Sequence, residues 1–316
     1  LCLFLTETCA THLMLSSRMR LLCAAIFSLT STIVSAVEPR EIYDGGYNST
    51  TSPLLLRISN GGAGQSGLVK ALADAFIQES VDNGSSPFRV GWVLGDTTFS
   101  IKYLQSGDAD VGITYSVAAE KNAGNQGIAD PKTYYIFRDH FLITGPPENP
   151  AKVNSSMDIL TLFAQVFEAA DIANTTIPTR FLSRYDKSAT NIKESELWLG
   201  IGQVPWATPY TTWYHQYIAF PIQALTAAIR LKEYTLTDRG TYLSLDKALA
   251  NQTVVYKAAT DNETDLLLNP AHLLVGRKAK NLTIAYQFAN WCVAQNGQKV
   301  ITDFEKNGEQ LYSGAP

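Results

Sequence analysis

Charge is scarce in this 316-residue chain: Asp, Glu, Lys and Arg make up 17% of it, against roughly 25% in an ordinary soluble domain. A basic excess is missing as well. With 25 Lys and Arg against 29 Asp and Glu the net charge is −4 and the pI is near 5.6. No cationic face is therefore available to neutralise phosphates, which argues against nucleic acid as a partner. Cysteine is sparse: Cys2, Cys9, Cys23 and Cys292 follow neither metal-ligand spacing nor a disulfide framework. No apolar run reaches the ~20 residues that span a bilayer. Internal repeats, low-complexity tracts and blocks of like charge are absent too. What the chain does have is apolar residues, 46% of the total at a mean hydropathy of −0.04, enough for two lobes that each bury a core.

The apolar run Leu21 to Val34 follows Met19-Arg20 and ends in Val34-Ser35-Ala36. A short positive start, an apolar segment and a small-residue exit predict a secretory leader over 1–36, cleaved near Ala36, with the residues ahead of Met19 an upstream extension or a fragment end. Cleavage removes Glu7, Arg18 and Arg20, leaving 23 basic and 28 acidic residues, net −5, and takes three of the four cysteines with it. Seven N-x-S/T triplets begin at Asn48, Asn83, Asn154, Asn174, Asn251, Asn262 and Asn281. They predict a glycosylated, secreted eukaryotic protein, and a monomer without a membrane span in its mature form.

Residues 37–52 are polar and read as a flexible lead-in. Leu54 to Ser59 forms a short apolar strand, Asn60 to Gly67 a glycine-rich turn, and Leu68 to Ile77 carries helical spacing. Strands follow at Phe88 to Leu94, Val111 to Thr114, Tyr134 to Thr144 and His272 to Val275, with helices over Thr98 to Gln105, Ile284 to Val293 and Gly297 to Phe304. Such alternation predicts an α/β chain with a mixed, mostly parallel sheet in each lobe, flanked by helices. It divides into lobe one, 53–140 with 268–316, and lobe two, 141–267, joined by strands crossing near 138–146 and 265–275.

Gly62-Ala63-Gly64-Gln65-Ser66-Gly67 satisfies G-x-G-x-x-G after a strand and before a helix. Asp96, the acidic residue ending the next strand, stands further along than the ~20 residues of a dinucleotide site. An anion cradle or a plain turn are the better readings. A second candidate is Ser183-Arg184-Tyr185-Asp186-Lys187-Ser188-Ala189-Thr190. Arg184 offers a fork of donors suited to an oxoanion or carboxylate, while Ser188 and Thr190 add hydroxyls at a helix start, where they equally serve as caps. The plain alternative is a capped helix with an Arg184–Asp186 ion pair; an Asp186 turned inward favours a protonated ligand such as phosphate. No catalytic set emerges: His140, His215 and His272 stand near no nucleophile motif, and Cys292 reads as a buried thiol. Trp206, Tyr210, Trp213, Tyr214, Tyr217 and Phe220 form an aromatic cluster suited to packing or to stacking on a sugar.

The chain resembles the solute-binding protein of bacterial tungstate ABC transporters, from about Leu54 to Tyr312. The resemblance rests on Ser66-Gly67-Leu68, Gly107 to Val111, Phe141 to Pro146, Ser183-Arg184 with Asp186 and Glu196-Leu197-Trp198, Tyr234 to Tyr242, Gly297-Gln298-Lys299 and Gly308-Glu309. It implies a two-lobed type II periplasmic-binding-protein fold that holds an oxoanion in the cleft between lobes. It also implies the second-lobe arginine at Arg184, with Ser183 and Ser188 beside it. Where that family has a Thr-Thr-Thr-Ser run, this chain has Ser59-Asn60-Gly61-Gly62; Phe220-Pro221 replaces a glycine-rich helix start, and Ala189 and Asn191 replace a Gly and a His.

These readings predict a non-enzymatic, secreted binder of a tungstate- or molybdate-like oxoanion, without cofactor or metal and with no transporter permease evident from the chain. Ser59, Asn60, Gly61, Gly62 and Ser66 would donate from lobe one, and Ser183, Arg184, Ser188 and Thr190 from lobe two. A small organic acid or sugar on the same fold, or a scaffold without a ligand, are the alternatives.

Overall fold

The computed structural model describes residues 36–171, 176–208 and 211–316; the expected leader, the Asn174 sequon and Tyr210 lie outside them. Lobe one runs through β1 (Glu41–Tyr43), β2 (Leu54–Asn60), α1 (Gly62–Ser66), α2 (Leu68–Asp82), β3 (Arg89–Leu94), α3 (Thr97–Ser106), β4 (Val111–Thr114) and α4 (Val117–Asn125). The 17-residue strand β5 (Ala129–Gly145) then passes into lobe two. There follow α5 (Ile159–Asp171), β6 (Phe181–Ser183), α6 (Ala189–Gly200), β7 (Tyr214–Gln216), α7 (Pro221–Leu231), β8 (Tyr234–Asp238), α8 (Arg239–Leu243), α9 (Lys247–Ala250) and β9 (Val254–Ala258). Strand β10 (Leu268–Gly276) returns the chain to lobe one, which closes with α10 (Leu282–Val293), α11 (Gln295–Thr302) and the short strands β11 (Glu305–Lys306), β12 (Glu309–Gln310) and β13 (Ser313–Gly314).

One mixed sheet runs in the order β1-β3-β2-β4-β10-β5-β8-β6-β7, with β9 and β13 also pairing to β5. Pairing is parallel at the heart of each lobe, β2 with β3 and β4, and β6 with β7 and β8. It is antiparallel where the lobes join. There β5 pairs with β10 as far as His140 and, from Phe141 on, with β8. The two lobes therefore share a continuous strand, whose aromatic and β-branched residues suit pairing on both edges.

Each lobe has its own core. In lobe one, α2 buries Leu68, Val69, Leu72, Ala73, Phe76 and Ile77, a stripe at i, i+4 spacing on one helix face. Full burial of each larger side chain contributes ~1.5–3 kcal/mol. Phe76 meets Phe288 edge-on at 5.2 Å, and free Cys292 is buried in the same core. Lobe two centres on Phe163, Phe181, Trp198, Trp213 and Tyr214. The aromatic cluster thus divides. Trp213 and Tyr214 are core, Trp206 packs against them and Tyr217 against Leu182, while Phe220 is exposed. Five of the described sequon asparagines, Asn48, Asn83, Asn154, Asn251 and Asn262, are exposed; Asn281 is half-buried and caps α10 through Ile284 N–H at 3.2 Å.

The glycine-rich stretch after β2, expected as a turn, folds as the short helix α1. Asn60 drives this: its Oδ1 accepts Gly64 N–H at 2.8 Å, and its Nδ2 donates to Ile113 O at 2.9 Å and to the Tyr115 hydroxyl at 3.2 Å. Gly64 lies flat on Trp92, where a Cβ would come within 2.2 Å of the ring. Gly67, at φ +102°, breaks α1 from α2, a conformation an L side chain rarely adopts.

Candidate functional site

A cavity of about 520 Å³ opens between the lobes. Lobe one contributes the start of α1 (Gly61, Gly62, Gln65), the β3–α3 junction from Leu94 to Thr97 with Phe99, and Tyr115. Lobe two contributes Arg184, Asp186, Ser188 to Thr190 and the lip Ile218 to Pro221. The crossing strands supply the floor, with Asp139 and Phe141 from β5, Asp238 from β8 and Asn269 from β10.

Arg184 follows β6 on a tight turn in which Tyr185 (φ 45°) and Lys187 (φ 63°) are left-handed, a conformation that costs non-glycine residues of order 1 kcal/mol each. Side chains of α6 hold that turn. Buried Glu194 accepts from the Ser183 hydroxyl, from Arg184 N–H at 3.4 Å, from Asn191 Nδ2 at 2.9 Å and from the Tyr214 hydroxyl at 3.2 Å. Asn191 Oδ1 accepts Lys187 N–H at 3.0 Å. Burial pushes the Glu194 carboxyl up to about 7, opposed by these donors. Arg184 itself is 6% exposed, its Nη2 paired with Asp186 Oδ2 and its Nε without a partner. Asp186 Oδ1 accepts Ser188 N–H at 3.0 Å. Ser188 caps α6, its Oγ accepting Asn191 N–H at 3.4 Å, which leaves its hydroxyl a hydrogen to donate.

The residues singled out from sequence separate into two sets. Gly61, Gly62, Arg184, Ser188 and Thr190 line the cavity; Ser59, Asn60, Ser66 and Ser183 do not. Ser59 Oγ, fully buried, donates to Ser100 Oγ at 2.9 Å. Asn60 is consumed in shaping α1. Ser66 Oγ bonds Ala63 O at 3.0 Å and the Tyr312 hydroxyl at 2.9 Å, and Ser183 serves Glu194. These four hydroxyl and amide groups are satisfied internally, so they support the walls instead of facing the space between them.

The sequence pointed to Asp186 and its ion pair with Arg184, both present here, but not to the wider acidity of the cavity. Asp96, Asp139, Asp186 and Asp238 line it, with Arg184 the one basic side chain among its described lining residues. Two of these carboxylates are helix caps: Asp96 accepts Phe99 N–H of α3 at 2.8 Å, and Asp238 accepts Thr241 N–H of α8 at 2.8 Å. Both meet the positive end of a helix, which offsets their charge. Burial, then the charge of Asp238, raises the Asp139 carboxyl well above the usual range. Burial, with the charge of Asp186 adding to it, raises Asp96. The α7 start is capped by Phe220 with Pro221 behind it, which offers no N–H from the proline. At the N-terminus of α6 the cap is the neutral Ser188, with the Asp186 carboxylate on the Ser188 N–H and on the neighbouring guanidinium. Among the described residues no three of His, Cys, Asp and Glu are grouped so as to hold a metal ion. His140, His215 and His272 each face a carboxylate, Asp261, Glu233 and Glu120, and none lines the cavity.

Two lobes on a shared curled sheet, with a cleft at the crossing strands, define the architecture of a periplasmic-type binding protein. The chain belongs to the PBP superfamily, whose domain profile matches residues 47–296. A solved periplasmic protein to which metal binding is ascribed is 60% identical, with a TM-score of 0.82 over 87% of this chain and 99% of that one. A Haloferax volcanii protein, ascribed to an ABC transporter as its anion-binding component, is 28% identical over 71% of this chain. That match spans 63% of the Haloferax protein's own length. The tungstate-binding protein TupA of Campylobacter jejuni is 27% identical over 78% of this chain and 85% of its own.

Proposed function

We propose that this chain is an exported, non-catalytic solute-binding protein that takes a small tungstate- or molybdate-like oxoanion into the cleft between its lobes. The observation that carries this reading is Arg184, the one basic side chain among the described lining residues, fixed beside the neutral-capped start of α6. A guanidinium fork and a helix N-terminus together favour a compact anion over a neutral solute. In this reading Gly61 and Gly62 complete the seat from lobe one, and Arg184, Ser188 and Thr190 hold it from lobe two. The anion-binding and tungstate-binding relatives support the same ligand class. Of the described rings of the aromatic cluster only Phe220 lines the cavity; the others pack in or against the lobe-two cores, which counts against their stacking on a sugar.

A thermal-shift panel of tungstate, molybdate, phosphate, sulfate, small carboxylates and divalent cations tests it. A ligand at 100 times its dissociation constant adds about 2.7 kcal/mol of stability. Arg184→Ala is expected to weaken oxoanion binding roughly 100-fold, from the loss of a charged, forked donor. A panel that moves only with cations, or an Arg184→Ala variant that binds as the parent does, contradicts the proposal. The acidic lining gives the cation arm its purpose.

Export and glycosylation belong to this reading as well. The apolar leader and the surface positions of five sequons support a secreted glycoprotein of eukaryotic type, while the relatives named above with a source are archaeal and bacterial. Removal of N-glycans from secreted material, read as a loss of mass, tests it.

A further inference from the structure

We propose that Asp186 is an internal stand-in for the ligand, a carboxylate that occupies the lobe-two half of the anion seat until an incoming oxoanion displaces it. The proposal rests on the oxoanion reading above and names the residue that sets the affinity of that site. The two oxygens of Asp186 take two donors that an anion at the start of α6 would seek. Oδ2 takes Arg184 Nη2 and Oδ1 takes Ser188 N–H at 3.0 Å. This pair is no surface ion bridge: the side chains of Arg184 and Asp186 are 7% and 17% exposed, and both line the cavity. The backbone of the turn that carries Arg184 does not depend on the Asp186 carboxylate alone, because Glu194, Asn191 and Ser183 accept the N–H groups of Arg184, Lys187 and Tyr185 from behind. A buried guanidinium on a braced turn, facing a cavity with its Nε still unpartnered, remains a seat for an anion when its internal carboxylate leaves.

Asp96 adds a second effect. It lines the opposing wall, close enough that the charge of Asp186 raises its carboxyl. An oxoanion that pushes Asp186 aside therefore works against two carboxylates. A divalent anion, which gains more from Arg184 than a monovalent one, is better equipped to do so. Asp186 thereby keeps the seat filled against weak monovalent anions and sets a threshold for the ligand.

Two variants of the full chain test the displacement. Asp186→Asn keeps an oxygen for Ser188 N–H while removing the charge, and Asp186→Ala empties the seat. Calorimetric titration with tungstate and with sulfate is expected to show both variants binding at least tenfold tighter than the parent. Asp186→Ala should in addition bind formate in competition with tungstate, whereas the parent ignores formate. Melting of the ligand-free variants confirms that each is folded. If the parent binds an oxoanion in an Arg184-dependent way and both variants bind it equally or more weakly, Asp186 is a positioning residue for Arg184 and the stand-in is wrong. If parent and variants alike bind no oxoanion, the oxoanion reading itself fails and takes the stand-in with it.

Discussion

Glu194 shows how much of this site depends on a side chain that never reaches the cavity. It is fully buried in α6 and gathers donors from Ser183, Arg184, Asn191 and Tyr214. Desolvation nevertheless lifts its carboxyl from 4.5 to about 7. A carboxyl raised on folding binds more protons in the native than in the unfolded state between those two values, so native stability declines as pH rises through that window and levels off above it. Gln does not titrate. The melting temperature of Glu194→Gln relative to the parent is therefore expected to shift in the variant's favour between pH 5 and pH 8; a pH-independent difference refutes the assignment. Arg184 and Asp186 were legible in the sequence as a pair at a hydroxyl-rich turn after a strand, and the capped helix and ion pair of the plainer reading are both present, with Arg184 lining the cavity as well. Asp96 and Asp238 were not, because a carboxylate three residues ahead of a helix N–H reads as an ordinary cap. Asp139 comes close to Asp238 only through the register that sets Phe141 opposite Asp238, a pairing between residues about a hundred positions apart.

Among elements, most strands and helices were readable because their apolar periodicity is strong. The predicted strands at Leu54, Phe88 and Val111 fall on β2, β3 and β4, and the predicted C-terminal helices on α10 and α11. The exceptions have physical causes. The glycines after β2 argue for a turn by propensity, and tertiary contact overrides it: Asn60 bonds Gly64 N–H, and Gly64 packs on Trp92. Gly64→Ala places a Cβ inside the van der Waals envelope of the indole, and we expect a loss of about 3 kcal/mol or more from overpacking. That corresponds to a fall in melting temperature of roughly 6 °C or more. The hydrogen bond from Trp92 Nε1 to Asn60 O, at 2.8 Å, should loosen with it, changing the Trp92 fluorescence. A variant that melts as the parent does means that α1 can lift away from β3, and with it that Gly61 and Gly62 are not rigidly placed. Strand β5 is longer than its apolar run because pairing with β10 and β13 on one side of the hinge and with β8 and β9 on the other continues it in both directions.

At the scale of the whole molecule, the lobes have separate cores and share β5 and β10 at the floor of the cleft. Phe99 on one wall and Ile218 and Phe220 on the other are 47%, 75% and 56% exposed while lining the same cavity. Apolar rims facing each other across the cleft gain burial when it closes, at about 25 cal/mol per Å² removed from water. Closure on a bound oxoanion predicts a smaller radius of gyration by small-angle scattering with tungstate than without it. No change on saturation opposes a hinge mechanism. The sparse charge of the chain sharpens this picture: at net −4 the overall field does not draw an anion in, so affinity has to come from a few fixed donors. The most direct test of that claim is a crystal grown with tungstate, in which tungsten is located by its anomalous scattering. The account predicts a single strong peak in the cleft, within hydrogen-bonding reach of Arg184 and the start of α6, with Asp186 turned away. A peak elsewhere, or an empty cleft at saturating tungstate, contradicts it.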